Sequence, residues 1–166
     1  HIQATFFCIG KQAEQYPELV KRIYEEGHVL GNHSFTHSHL IDFNSSKRWV
    51  EEIRKADQTL FAVTGEKVLY FRPPFGVTTP HLARALKKTG HIAIGWSVRP
   101  YDTQKQSAQQ LIQKIKYKTR PGDIVLLHDT HSRILPVLKE VIPYFKTKKY
   151  TFVTINQGVI RSDSNE

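Results

Sequence analysis

The sequence predicts an α/β domain in which parallel strands are covered by helices. Two patterns and one bound lead there. Short apolar runs alternate with amphipathic helical patterns along the chain, and Gly, Pro or Ser punctuates the boundaries. The chain has 166 residues, 39% of them hydrophobic, enough for one domain with its own core, and it shows no linker, internal repeat or low-complexity stretch. Strand–helix alternation of this kind builds either an open α/β sheet or a (β/α) barrel, and both place functional residues at the C-terminal ends of their strands.

The first run, residues 5–9, is strand-like, and Pro17 suits the first turn of a helix that ends at Gly27. Residues 28–31 form a short second strand. Ser45 or Ser46 can cap a helix whose apolar face is Trp49, Ile53, Ala56, Leu60 and Val63, with Gly65 beyond its end. Residues 68–71 form a third strand, stopped by Pro73 and Pro74. A helix over 82–88 ends at Gly90, and 91–96 returns as strand. Ala108, Leu111, Ile112 and Ile115 mark the next helix, and Pro121-Gly122 turns the chain into the apolar strand 124–127. The last helix carries Ile134, Leu138, Val141 and Phe145, followed by a strand over 151–155 and a polar, frayed tail over 161–166.

Bulk properties exclude several classes. No apolar run approaches the roughly 18 residues that a membrane span needs. Neither does a basic segment followed by an apolar one open the chain as a secretory signal would. The abrupt start reads as a strand already under way. The single cysteine, Cys8, cannot form an intramolecular disulfide, and its apolar setting marks a packed thiol. The formal charge of +9 favours polyanionic neighbours. The lysines and arginines are nevertheless dispersed over helices, which reads as solvated faces and not as a nucleic-acid site.

The chemistry-bearing residues fall just after the predicted strands. His33 and His37, in the run Gly-Asn-His-Ser-Phe-Thr-His, are four apart, a spacing that puts both imidazoles on one face of a helical turn and lets them share a divalent metal. Arg72 precedes the rigid Pro73-Pro74-Phe75-Gly76 turn and has the fork that grips a carboxylate. Asp102 follows the next strand. His128 and Asp129 close the apolar strand, where a histidine beside a carboxylate can act as a general acid. His39, His81, His91 and His131 have no comparable placement and read as structural or surface residues.

Read together, these segments closely resemble the polysaccharide deacetylases, the NodB-homology domains of carbohydrate esterase family 4. The likeness rests on Ala4-Thr5-Phe6-Phe7, on Gly27-His28 through His37, on Arg72 to Gly76, on Trp96 to Asp102 and on Leu126-Leu127-His128, in that order. It implies a distorted (β/α) barrel of parallel strands lacking its first strand, with the domain over 1–160. It also implies a metal-dependent hydrolase that removes acetyl groups from N-acetylglucosamine units of a polysaccharide such as peptidoglycan or a chitin-like glycan. His33 and His37 would bind the metal, zinc above all. His128 would protonate the leaving group, Asp102 would keep His128 protonated, and Arg72 would orient the catalytic base. Leu126 would line the acetyl pocket, with Phe75, Trp96 and Tyr101 as further substrate contacts. The implied partner is a polysaccharide, without nucleic acid or a membrane span, and the implied location is secreted or at the cell envelope. The oligomeric state stays open.

The departures from the family pattern matter too. The Asp-Asp pair that supplies the family's base and third metal ligand does not occur in this chain, and its usual spacing would place it before His1. A polypeptide with nothing before His1 is therefore expected to be inactive or nearly so. Arg99 stands where the family's fourth motif has its first Asp, and Thr103 where it has Trp, so Trp96 or Tyr101 would have to supply the lost apolar wall. An O-acetyl esterase and an inactive glycan-binding domain are the alternatives.

Overall fold

A computed structural model describes residues 2–162. They form two compact units, one comprising 2–95 with the described residues after Phe152, the other Trp96–Phe152.

The first unit is built on a four-stranded parallel sheet in the order β1–β2–β3–β4. Its strands are β1 (Thr5–Cys8), β2 (Val29–Asn32), β3 (Tyr70–Phe71) and β4 (Ile92–Ala93). Cys8 pairs with Asn32, Asn32 with Phe71, and Phe71 with Ala93, so the strands end in one row. His33 and Arg72 each follow directly on that row. Relative to the sequence expectation β1 loses one residue, β2 shifts by one, and β3 and β4 are trimmed to two residues, while the strand type is as expected.

Helices α1 (Gly10–Gln15), α2 (Pro17–Glu25), α3 (Ser46–Thr64) and α4 (Pro80–Thr89) belong to this unit. Ser45 is the cap of α3: its hydroxyl accepts from the Arg48 N–H, and Gly65 closes the helix at φ 72°, a left-handed value that glycine adopts without a Cβ clash. Thr79 caps α4 in the same way, ahead of Pro80 in the first turn. The stripe Trp49, Ile53, Ala56 and Leu60 is fully buried. Trp49 and Ile53 pack with Ile41, Phe71, Leu82 and Leu86, while Leu60 packs with Ala13, Val20 and Leu30. Truncating a buried leucine of this kind costs about 2–5 kcal/mol.

The second unit pairs α5 (Ala108–Lys118) with α6 (Ile134–Thr147). Ser107 and Gln110 form a reciprocal capping box at the start of α5, and Leu111, Ile112, Ile115, Val137, Val141 and Phe145 form the core. The expected strand over 124–127 is reduced to one parallel bridge, Val98 with Val125. Ile124 O accepts from Ser97 and Val98, and Leu126 N–H donates to Val98 O.

The expected strand over 151–155 is not formed among the described residues. Residues 151–154 lack regular pairing, and α7 (Ile155–Ser162) begins instead, its first turn closed by N–H groups of Gln157 and Gly158 on Thr154 O. Thr, Phe and Val favour strands, but that preference depends on context, and the segment meets the edge strand β1 through Ile155 N–H on the Thr5 hydroxyl instead of a backbone ladder. The helix runs through Arg161 and Ser162, which were expected to lie in the tail; residues 163–166 lie outside the described part.

Candidate active site

In the first unit, the loop after β2 carries the histidine pair. It is not a helical turn. Ser34 and His37 have φ of 63° and 49°, left-handed values uncommon outside glycine, so the i, i+4 geometry assumed from spacing does not apply. The two rings still meet, with centroids 4.8 Å apart. A tightly folded loop thus does what the helix was expected to do. His33 Nδ1 lies 2.6 Å from the Arg72 carbonyl, and because a carbonyl can only accept, Nδ1 carries the proton. That bond assigns Nε2 as the ring nitrogen with a lone pair for a metal, the arrangement typical of ligating histidines.

The loop's shape has identifiable causes. Asn32 Oδ1 accepts from Ser34 N–H at 2.8 Å, and Ser34 Oγ accepts from His37 N–H at 3.1 Å. The first turn of α1 donates Gly10 N–H to Ser34 O and Lys11 N–H to Phe35 O. Gly10 has to be glycine there, since a Cβ would sit 2.6 Å from the Phe35 ring and 3.0 Å from the Ala56 backbone. From α3, the Glu52 carboxylate accepts from Phe35 N–H, Thr36 N–H and the Thr36 hydroxyl. Neither Asn32 nor Glu52 was singled out from sequence. The available signal was a carboxylate on the apolar stripe of α3, beside Ile53.

Phe75, at φ 56°, brings its ring edge-on to His37 at 5.0 Å and lies stacked with His39 at 5.9 Å. His39, expected to be a structural or surface residue, therefore shares a ring cluster with His37. His91 is structural as expected: it is buried against Asp57 and Thr89. Arg72 is buried; its Nε and Nη2 donate to the Ile94 and Gly95 carbonyls, and its guanidinium lies 4.1 Å over the Phe7 ring. Burial pulls its pKa down to about 10. The carbonyl bonds fix the direction in which the guanidinium points.

In the second unit, Asp102 is 3% exposed and grips His128 twice. Oδ2 accepts from the His128 N–H at 2.6 Å and Oδ1 from the ring Nδ1–H at 3.0 Å. Burial alone would raise the Asp102 pKa, but the hydrogen bonds from His128 and its charge outweigh that and hold the carboxyl below the ordinary value. The grip fixes the tautomer and leaves Nε2 as the ring atom able to exchange a proton with a ligand. His128 remains 37% exposed at its side chain, so a ligand can reach it.

Arg133, also unmarked in the sequence, donates to the carbonyls of Asp102, Gln104 and Gln106. Gln106 in turn donates to the Pro100 and Tyr101 carbonyls, beneath a Tyr101 backbone at φ 61°. Leu126 is buried, and Trp96 and Tyr101 flank the Arg99 guanidinium at 5.3 and 5.1 Å from their ring centroids. The two aromatics expected to wall a substrate pocket thus both contact the arginine that departs from the family pattern.

The donor set in the first unit fits a divalent metal at two positions, two imidazoles with one tautomer already assigned. Among the described residues there is no cluster of three or more His, Cys, Asp or Glu side chains arranged to hold one.

Comparison with known proteins shows the family. Residues 1–94, more than half of the chain, match the family model described as polysaccharide deacetylase. Two peptidoglycan-N-acetylglucosamine deacetylases of Bacillus cereus are each 32% identical over 93% of this chain, which spans 58% of one and 74% of the other. A solved CE4 family pseudoenzyme from Bacillus anthracis superposes with a TM-score of 0.87 at 28% identity, over 94% of this chain and 55% of that one. The chain is therefore little more than half the length of some of the relatives it matches. With the family model, the relatives and the fold in agreement, this chain belongs to the polysaccharide deacetylase family.

Proposed function

We propose that the protein hydrolyses acetamide groups on N-acetylglucosamine units of a polysaccharide, with peptidoglycan the leading substrate class. The observation that carries this is the double grip of Asp102 on His128, which presents one ring nitrogen, Nε2, for proton transfer. The reaction adds water across the amide C–N bond and releases acetate and an amine. A proton must reach the departing nitrogen, and His128 Nε2–H supplies it. Asp102 orients the ring and balances the charge it carries when doubly protonated.

His33 and His37 would hold a divalent metal, a role that paired imidazoles suit, with zinc the ion that the family resemblance implies. When bound, such an ion polarises a carbonyl and acidifies water. Arg72 keeps its place through the Ile94 and Gly95 carbonyls and holds His33 through its own carbonyl. Phe75 offers an exposed ring beside His37, and Leu126, Trp96 and Tyr101 are the proposed substrate contacts of the second unit. The names of the relatives support action at the cell envelope. No helix among the described residues is long and apolar enough to cross a membrane.

Acetate release from N-acetylated chitooligosaccharides and from peptidoglycan, measured with the native full-length protein, is the test. His128→Ala should lower kcat by about 10²–10⁴, the usual range for a lost general acid. An unchanged rate removes His128 from the reaction. The likeness to a solved pseudoenzyme favours a second reading, a glycan-binding domain without turnover. Saturable glycan binding with no acetate released would select it.

A further inference from the structure

Among the described residues, Glu52 is the one buried carboxylate whose acceptor bonds all go to the histidine loop. It sits on α3, is 6% exposed, and is flanked by the fully buried Ile53 and Trp49. A charge in that setting is costly unless hydrogen bonds compensate it. Here Oε2 accepts from Phe35 N–H at 3.1 Å and Thr36 N–H at 2.8 Å, while the Thr36 hydroxyl lies 3.1 and 3.0 Å from the two oxygens. Both amides belong to the segment between His33 and His37. Its ends are the left-handed residues Ser34 and His37, so its conformation is one that local preference resists.

We infer that Glu52 is a positioning residue for the His33–His37 pair. By turning the Phe35 and Thr36 amides toward α3, it holds the bend that brings the two ring centroids within 4.8 Å, their planes tilted by 57°. The inference rests on the proposed function only for the purpose of the pair; the clamp itself is independent of any metal. Asn32 acts from the other side, since its amide is fixed by the Ile53 carbonyl and Asp57 while its oxygen takes the Ser34 N–H. Glu52 alone has a full charge and reaches the centre of the bend.

Two readouts test this, one without metal. In long-range ¹H–¹⁵N spectra of the metal-free protein, Glu52→Gln should shift or broaden the His33 and His37 ring signals and leave those of His128 and His91 unchanged. In a titration with zinc ion alone, Glu52→Gln should bind about 10–100-fold more weakly than the parent, the usual penalty when a partner that orients ligands is lost. Glu52→Ala should be weaker still. Thr36→Ala removes one side-chain donor from an exposed position, so the fold survives, and it should show the same changes at smaller amplitude even if the Glu52 variants fail to fold. Ring signals unchanged in Glu52→Gln and Thr36→Ala, with parental zinc affinity, would overturn the inference. If the parent binds no zinc, the proposed metal pair fails instead. The spectra then decide the clamp: a shift confined to His33 and His37 supports it, and unchanged signals overturn it.

Discussion

The loop that carries His33 and His37 and the loop that carries Asp102 are held by clamps of opposite charge. In the first, the backbone turns N–H groups inward and an anion, Glu52, collects them. In the second, the backbone turns carbonyls inward and a cation, Arg133, collects three. Every inward-facing backbone group needs a partner, so the polarity a loop presents sets the sign of the residue that can hold it. Both loops contain left-handed non-glycine residues, Ser34 and His37 in one and Tyr101 in the other. A bend that local preference resists persists only when its surroundings over-determine it.

The largest expected effect tests the second loop. Asp102→Asn replaces a buried acceptor of two charge-assisted bonds and should cost about 3 kcal/mol in urea denaturation. The pH dependence has a definite sign. The folded carboxyl titrates below its unfolded counterpart, so the unfolded chain takes up a proton first as pH falls. The stabilisation is complete above the unfolded value of about 4 and is lost as pH drops through the lower folded value. Stability of the parent should decline in that window, and the decline should be shallower in Asp102→Asn. Equal slopes would show that the pair stores no such energy.

Arg133→Gln should come next, at about 2 kcal/mol, because one charged fork is replaced by a neutral amide that cannot reach three carbonyls. If its cost is no more than a few tenths, the cation clamp is not what holds the Asp102 loop. The smallest effect belongs to the first loop. Gly10→Ala forces a Cβ against Phe35 and the Ala56 backbone and should cost about 1–2 kcal/mol by thermal denaturation. A neutral Gly10→Ala would mean that the loop gives way freely, and would weaken the contrast with a rigid His33–His37 bend.

Much of this was legible in the sequence because it depends on local chemistry. Ser45, Gly65 and Gly90 bound their helices as cap preferences require, and the stripe from Trp49 to Leu60 is buried as its period implies. Asp102 and His128 met as the resemblance implied. What was not legible depends on tertiary partners. A helix-period spacing suggested one turn for His33 and His37, but the bend is made by Asn32, Ser34, Gly10 and Glu52 acting from three elements. Residues 151–155 have strand-forming side chains, yet they meet the edge strand β1 through Ile155 N–H on the Thr5 hydroxyl instead of a backbone ladder. Arg133 reads as one more surface cation until the three carbonyls it binds are seen, and Arg99 as a mere departure until Trp96 and Tyr101 are found around it.

The most direct test of the account is the metal content of the native full-length protein against its His33→Ala, His37→Ala double variant, each purified in zinc-containing buffer and measured by elemental analysis. Near-stoichiometric zinc in the parent and none in the double variant is the predicted result. Equal metal in the two proteins, or none in the parent, would contradict the assignment of these paired imidazoles as metal ligands.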